Sequence, residues 1–264
     1  MIIKFLGTGT SHGVPMLGCL CGVCKSGYKR NKRLRSSILL SWNYKKRPKH
    51  HNFTNNSLIN IVIDTTPEFR LQAIKAHIGH LDAVLITHVH SDHIYGLDDI
   101  RAFTRQRRMP VHALPNDIHD IKQCFSHLFR RTQKGGGKSR LNLNKIKGPF
   151  NLFGKKIIPI PIWHGSRKIT GFRIDNTAYL TDCSRIPVKS LALLKSLDTL
   201  ILSALRWNKH TTHFSLYEAI ETANNISPKR TYFTHISHEL DHRETQKKLP
   251  ENMFMAFDGL KIPM

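Results

Sequence analysis

The sequence predicts an α/β fold in which strands outnumber helices. Its apolar runs are short, rich in β-branched residues and broken by Gly, Pro, Asn and Asp, which suits strands. Helix starts with recognisable capping chemistry fall between these runs. No internal repeat, heptad or long low-complexity tract points to a solenoid or coiled coil. With 264 residues, 40% of them hydrophobic, the chain can bury a real core, and a single domain over residues 1–264 is expected.

Taken in order, the expected strands are Ile2 to Leu6, Ser37 to Ser41, Leu58 to Asp64, Ala83 to Thr87, Lys156 to Ile162, Gly171 to Ile174, Ala178 to Leu180, Thr199 to Leu202 and Thr231 to Thr234. Thr65-Thr-Pro-Glu68 offers a hydroxyl cap, a proline suited to the first turn and a carboxylate for the helix dipole, ahead of apolar Phe69, Ala73 and Ile74. Ser215-Leu-Tyr-Glu218 reads as a capping box, with Leu216, Ala219, Ile220 and Ala223 as an apolar stripe at helical spacing. Two basic segments, Asn43 to Asn56 and Arg130 to Lys147, read as loops. Neither interleaves enough aromatics to form a base-stacking platform.

Lys and Arg number 41 against 18 Asp and Glu, a formal net charge of +23. Such an excess suits an anionic partner or substrate, although the charges are dispersed and a general surface adaptation explains them equally well. No stretch approaches the roughly 18 to 20 apolar residues of a membrane span, and the first ten residues lack the layout of a signal peptide. A soluble, cytoplasmic protein is expected.

Of five cysteines, three crowd into Cys19-Leu-Cys21-Gly-Val-Cys24, a spacing that suits a metal site better than a disulfide framework. Redox thiols are the alternative, against which the cluster lacks a single Cys-x-x-Cys opening a helix. Cys124 and Cys183 stand alone and read as small buried hydrophobes. Gly7 to Gly13 lacks the Lys-Ser/Thr ending of a P-loop and reads as a turn.

The strongest signal is His88-Val-His90-Ser-Asp92-His93, directly after an apolar strand. In extended chain His88 and His90 point the same way, and a turn into helix carries Asp92 and His93 to the other side, so one segment can serve two adjacent ions. It cannot complete both sites. His164, Asp182 and His235 each follow an apolar run, where an α/β scaffold presents its chemistry.

The ordered set His88-x-His90-x-Asp92-His93, His164-Gly165, Asp182 and His235 resembles the signature of the metallo-β-lactamase fold hydrolases. The resemblance covers nearly the whole chain. It implies an αββα sandwich of two central mixed sheets flanked by helices, with a dinuclear site at one edge. His88, His90 and His164 would hold one divalent ion, Asp92, His93 and His235 the other, with Asp182 bridging. Gly7-Thr-Gly-Thr-Ser11-His-Gly-Val-Pro15, the cysteine cluster and His213-Phe-Ser215-Leu are further similar to the PhnP-type phosphodiesterases, which act on phosphoribosyl 1,2-cyclic phosphate. That likeness implies a structural zinc on Cys19, Cys21, Cys24 and His238, closed to solvent chemistry because four ligands complete its tetrahedron. It also implies a general-acid or phosphate-contacting role for His213, with His210 as a nearby competitor, and a homodimer.

The expected activity is opening of a small cyclic phosphodiester, such as 5-phosphoribosyl 1,2-cyclic phosphate or a 2′,3′-cyclic nucleotide. Hydroxide activated by the ions attacks phosphorus, Asp92 orients it, and His213 serves the departing oxygen. Mixed imidazole and carboxylate ligands suit manganese or zinc first, with nickel and iron as alternatives. His88 to Leu97 also resembles the tRNA 3′-processing endonucleases, for which nucleic acid would be the partner. A catalytically inactive nucleic-acid-binding module of the same fold is a third reading.

Overall fold

A computed structural model describes residues 1–45, 57–131 and 137–263. Its strands are β1 (Ile2–Gly7), β2 (Ser37–Asn43), β3 (Leu58–Ile63), β4 (Ala83–Leu85), β5 (Met109–Ala113), β6 (Leu141–Lys145), β7 (Phe150–Leu152), β8 (Lys155–His164), β9 (Arg167–Ile174), β10 (Thr177–Leu180), β11 (Thr199–Ser203), β12 (Arg230–Thr234), β13 (Met253–Met255) and β14 (Lys261–Pro263). Its helices are α1 (Gly22–Lys25), α2 (Phe69–Ala76), α3 (Ser91–Ile94), α4 (Pro115–Cys124), α5 (Ser126–Phe129), α6 (Val188–Leu191), α7 (Leu216–Ile226) and α8 (His242–Gln246). The strands form two seven-stranded mixed sheets, ordered β14-β1-β2-β3-β4-β5-β6 and β13-β12-β11-β10-β9-β8-β7.

Strand alternation divides the apolar side chains among three cores, and three cores imply four layers. In β3, Ile59, Ile61 and Ile63 face the second sheet, where they meet Phe172, Ile174 and Ile201. Val62 between them faces outward, onto Phe69 and Ala73 of α2. In β11, Ile201 points inward while Leu200 and Leu202 pack beneath Leu216, Ala219 and Ala223 of α7. Both faces of each sheet are therefore covered, giving the expected αββα sandwich.

Strand direction decides where chemistry gathers. β3, β4 and β5 run parallel, and two antiparallel steps make β1 parallel to them. In the second sheet β10, β11 and β12 run parallel, and β8 joins that direction through antiparallel β9. Within each sheet these strands deliver their C-terminal ends to one edge, and the backbone bond from Thr170 N–H to the Thr87 carbonyl, 3.1 Å, ties the sheets together there.

Several expectations need correction. The basic stretch 130–147 is not all loop: Leu141–Lys145 is β6, paired in parallel with β5, while its residues 132–136 lie outside the described residues. The basic stretch 43–56 begins within β2 at Asn43, and its residues 46–56 lie outside the described residues. Thr66 does not cap α2; its hydroxyl accepts the Glu68 N–H in a turn one step earlier, and Ile74 stays exposed while Phe69 and Ala73 are buried. Cys124 is exposed because Ile121 and Phe125 take the inward positions at that end of α4; Cys183 is fully buried as expected. No helix among the described residues is long and apolar enough to cross a membrane.

The capping box at α7 is present in both directions: Ser215 Oγ accepts the Glu218 N–H and Glu218 Oε2 accepts the Ser215 N–H at 2.9 Å. Ser215→Ala is expected to cost about 1 kcal/mol, a fall of about 2 to 4 °C in thermal midpoint, measurable by calorimetry.

Candidate metal centre

The site is assembled from strand ends. Beyond β4 the chain runs through His88 and His90 in extended form and enters the four-residue helix α3, which carries Asp92 and His93. β8 ends at His164, while Asp182 and His235 follow β10 and β12. Two clusters result. One donor atom each from His88, His90 and His164 lie within 4.8 Å of one another, and so do donor atoms of Asp92, His93, Asp182 and His235. Asp182 also lies within that distance of His164 and His213, so its carboxylate sits between the clusters. The rings of His88 and His93, one from each cluster, are 4.2 Å apart.

The outer atoms of these ligands are held so that their inner lone pairs converge. Asp64, fully buried, accepts from Thr87 N–H, from the Thr87 hydroxyl and from His93 Nδ1, each at 2.8 Å. Since the Thr87 hydroxyl donates to Asp64, it accepts from His88 Nδ1–H at 3.0 Å, which leaves His88 Nε2 bare toward the site. His164 Nδ1–H donates to the Thr212 carbonyl at 2.7 Å, and His235 Nε2 meets the Thr10 hydroxyl at 3.2 Å. Such outer partners set tautomer and ring orientation in metal sites. Gly165 lets Thr212 come this close, because a Cβ there would stand 2.8 Å from Thr212 Cγ2.

The donor set fits divalent cations on internal grounds. His88 Nε2, His93 Nε2 and His235 Nδ1 are buried with no hydrogen-bond partner, which is costly unless something positive sits among them. His235 Nδ1 is 3.0 Å from Asp182 Oδ1 without hydrogen-bond geometry, as two ligands aimed at a shared point would be. Backbone strain is present here too: Asp64, Asp182 and His235 adopt left-handed φ of 65°, 56° and 56°, turning the chain sharply at three strand ends.

Without a cation, a proton serves the clustered carboxylates. Burial lowers the pKa of His93, but the charges of Asp182, Asp92 and Asp64 outweigh it and hold the imidazole well above its ordinary value. Burial would raise Asp182, yet His235 and His93 keep it well below the usual carboxylate range. His88 is pushed well below the ordinary histidine value, first by burial and then by the charge of His93. Cation binding would expel the His93 proton, so affinity should fall as pH falls.

His213 stands just ahead of α7 with its ring 4.6 Å from that of His164 and 4.9 Å from that of His235, and its Nδ1 is buried without a partner. Burial lowers its pKa to about 3, with the charge of His235 adding to the effect. His210 instead engages the Thr212 backbone N–H and hydroxyl through Nδ1 and fastens the turn. A separate cluster forms from Cys19, Cys21, Cys24 and His238, with Nδ1 of His238 3.3 Å from both Cys19 Sγ and Cys21 Sγ. Contrary to expectation, Cys21-Gly-Val-Cys24 does open a helix, with Cys21 Sγ accepting the Cys24 N–H at the start of α1; what favours a metal over redox chemistry is that three thiols and an imidazole brought together in this way suit tetrahedral zinc.

Sequence reasoning missed the supporting residues. Asp64 ends an apolar run as Asp182 does, and that signal was available; Thr212 acts through its carbonyl, which no side chain advertises. Asp64→Asn is expected to lower affinity for the bound cations by about 10- to 100-fold, as read by chelator competition.

Residues 59–236 match the family model of the beta-lactamase superfamily domain, well over half of the chain. A crystal structure described as a new diphosphatase from the PhnP family is 38% identical, with a TM-score of 0.87, over 100% of this chain and 97% of that one. Zinc-bound PqqB from Methylobacterium extorquens, 17% identical with a TM-score of 0.76 over 100% of both chains, shares the fold. A protein of Porphyromonas gingivalis (strain ATCC BAA-308 / W83) named octanoyltransferase is 36% identical over 260 residues, 97% of this chain but 50% of its own length. The chain thus spans about half of that curated relative. With the family match, the sandwich and the clustered side chains in agreement, the chain belongs to the beta-lactamase superfamily, with the metallo-β-lactamase fold and residues suited to divalent metal binding.

Proposed function

We propose that the protein is a metal-dependent phosphodiesterase that opens a small cyclic phosphodiester, of the class of 5-phosphoribosyl 1,2-cyclic phosphate or 2′,3′-cyclic nucleotides. The observation that carries this reading is the pair of ligand clusters meeting at Asp182, with His213 facing both. When bound there, two divalent ions supply a water nucleophile of near-neutral pKa and a clamp for phosphoryl oxygens. His88, His90 and His164 would hold one ion, Asp92, His93 and His235 the other, and Asp182 both. Manganese or zinc suits this set.

The chain's own groups do the rest. Asp92, buried beside His93, would orient the attacking water through a carboxylate oxygen. Burial disfavours the His213 cation, so the ring meets the departing oxygen as a neutral imidazole N–H donor. The negative charge of the incoming phosphodiester favours the imidazolium and would let the same ring deliver a proton to the leaving alkoxide. The Thr212 carbonyl keeps His164 oriented throughout.

A second reading, hydrolysis of a diphosphate linkage, is favoured by the name of the 38% identical PhnP-family relative. The test is turnover of a cyclic ribose phosphate, 2′,3′-cyclic nucleotides, a diphosphate ester and precursor tRNA by protein loaded with manganese or zinc. Fastest turnover on a cyclic diester, lost in His213→Ala with cation content unchanged, is expected. Preference for the diphosphate would replace the first reading by the second, and preference for precursor tRNA would replace both by an endonuclease.

A further inference from the structure

On the helical side of the first sheet lies a groove of 1380 Å³. Its walls are α2, the 3₁₀ turn Asp99–Phe103, the end of α5 and residues 137–140 leading into β6. None of its lining residues belongs to the two histidine and aspartate clusters.

Its chemistry is lopsided. Arg70, Arg101, Arg105, Arg108 and Arg140 line it, all exposed, together with Lys138. Among the described residues none of these six cations has a carboxylate partner. The two acidic residues on the wall are engaged elsewhere: Asp98 faces His127, and Asp99 accepts the Arg70 backbone N–H. The guanidinium groups are positioned by backbone carbonyls instead. Arg101 donates to Gly137 O at 2.8 Å and Arg140 to Arg105 O at 3.3 Å, leaving further N–H groups on each free for an anion. Between the cations the surface is apolar, with Phe129 40% exposed and Phe103 half-buried.

We infer that this groove binds a single-stranded nucleic acid, its phosphates along the arginine rim and its bases against Phe129 and Phe103. Cations that track a backbone, interleaved with aromatic faces, are how such strands are held without sequence preference. The volume exceeds the roughly 300 to 1,000 Å³ of small-ligand pockets, which favours an extended ligand. A concave wall does not fit a planar lipid surface. An acidic peptide would use the arginines but leave the aromatic faces idle. The inference does not depend on the phosphodiesterase reading, because binding is read without turnover.

The experiment is fluorescence anisotropy with a labelled 12-nucleotide oligouridylate and the full chain. A protein of charge +23 will attract any polyanion, so localisation is the point. Arg101→Glu with Arg140→Glu is compared with Lys189→Glu and Lys195→Glu, two exposed positions by the second sheet whose change in net charge is identical. The groove pair is expected to lose at least about 30-fold in affinity and the remote pair less than about 3-fold. Phe129→Ala, with charge unchanged, should lose about 10-fold. Should the glutamate variants not fold, Arg101→Gln with Arg140→Gln carries the same comparison, with about 10-fold loss expected. Equal losses for groove and remote pairs, no effect of Phe129→Ala, or equal affinity for a 12-residue polyglutamate would each overturn the proposal.

Discussion

Asp182→Ala is expected to lower hydrolytic turnover by at least about a thousandfold, which is about 4 kcal/mol of transition-state stabilisation. The carboxylate is buried, lies 3.4 Å from His93 Nε2, 3.0 Å from His235 Nδ1 and 3.8 Å from His88 Nε2, and therefore touches both ligand clusters. No neighbouring residue can replace it, since Asp92 reaches one cluster alone. The loss should appear together with a fall in bound cation, measured by elemental analysis after dialysis. Retained turnover with normal cation content would remove Asp182 from the centre of the site. The same geometry sets the pH response. Because His93 holds its proton against the surrounding carboxylates, cation uptake should release protons, and the affinity should rise from acid to neutral pH.

Cys24→Ser is expected to lower the thermal midpoint by about 10 °C or more and to remove one equivalent of zinc per chain. Cys24 is buried, and the cluster it completes joins the loop after β1 to His238 just beyond β12. Cross-links between positions so far apart in sequence remove much freedom from the unfolded chain. They also hold in place Thr10, which supports His235, so a loss in turnover should accompany the loss of stability. In the metal-free chain the hydrogen bond from His238 lowers Cys21 to about 6, whereas burial raises Cys24 to about 11. A zinc ion bound there would have to displace a proton from Cys24, and its release below neutral pH should be steep. Unchanged stability and full zinc content in Cys24→Ser would refute a structural role for the cluster.

The central strands were legible because buried β-branched runs between turn residues have few alternatives; β3, β4, β11 and β12 are of this kind. The strands that escaped notice have physical excuses. β6, β7, β13 and β14 lie at sheet edges, and the last two have three residues each, too short for a period to register. β6 reads Leu-Asn-Leu-Asn-Lys, polar enough to pass for the loop on either side of it. β5 is interior but carries Pro110, which argues against a central strand in general. The site was more legible than the fold, because ligands must be polar while the strands that aim them are apolar, and the junction is visible in one dimension. His88 to His93, His164, Asp182 and His235 all stand at such junctions. What could not be read was the support: the hydroxyl relay from Asp64 through Thr87 to His88 depends on atoms brought together only by the pairing of β3 with β4.

Anomalous diffraction from crystals grown with saturating manganese and zinc would locate the ions themselves. Two cations are expected about 3.5 to 4 Å apart on either side of Asp182, one against His88, His90 and His164 and the other against Asp92, His93 and His235, with a third among the cysteines. Absence of density at the histidine and aspartate clusters, or a single ion bound without Asp182, would contradict this arrangement.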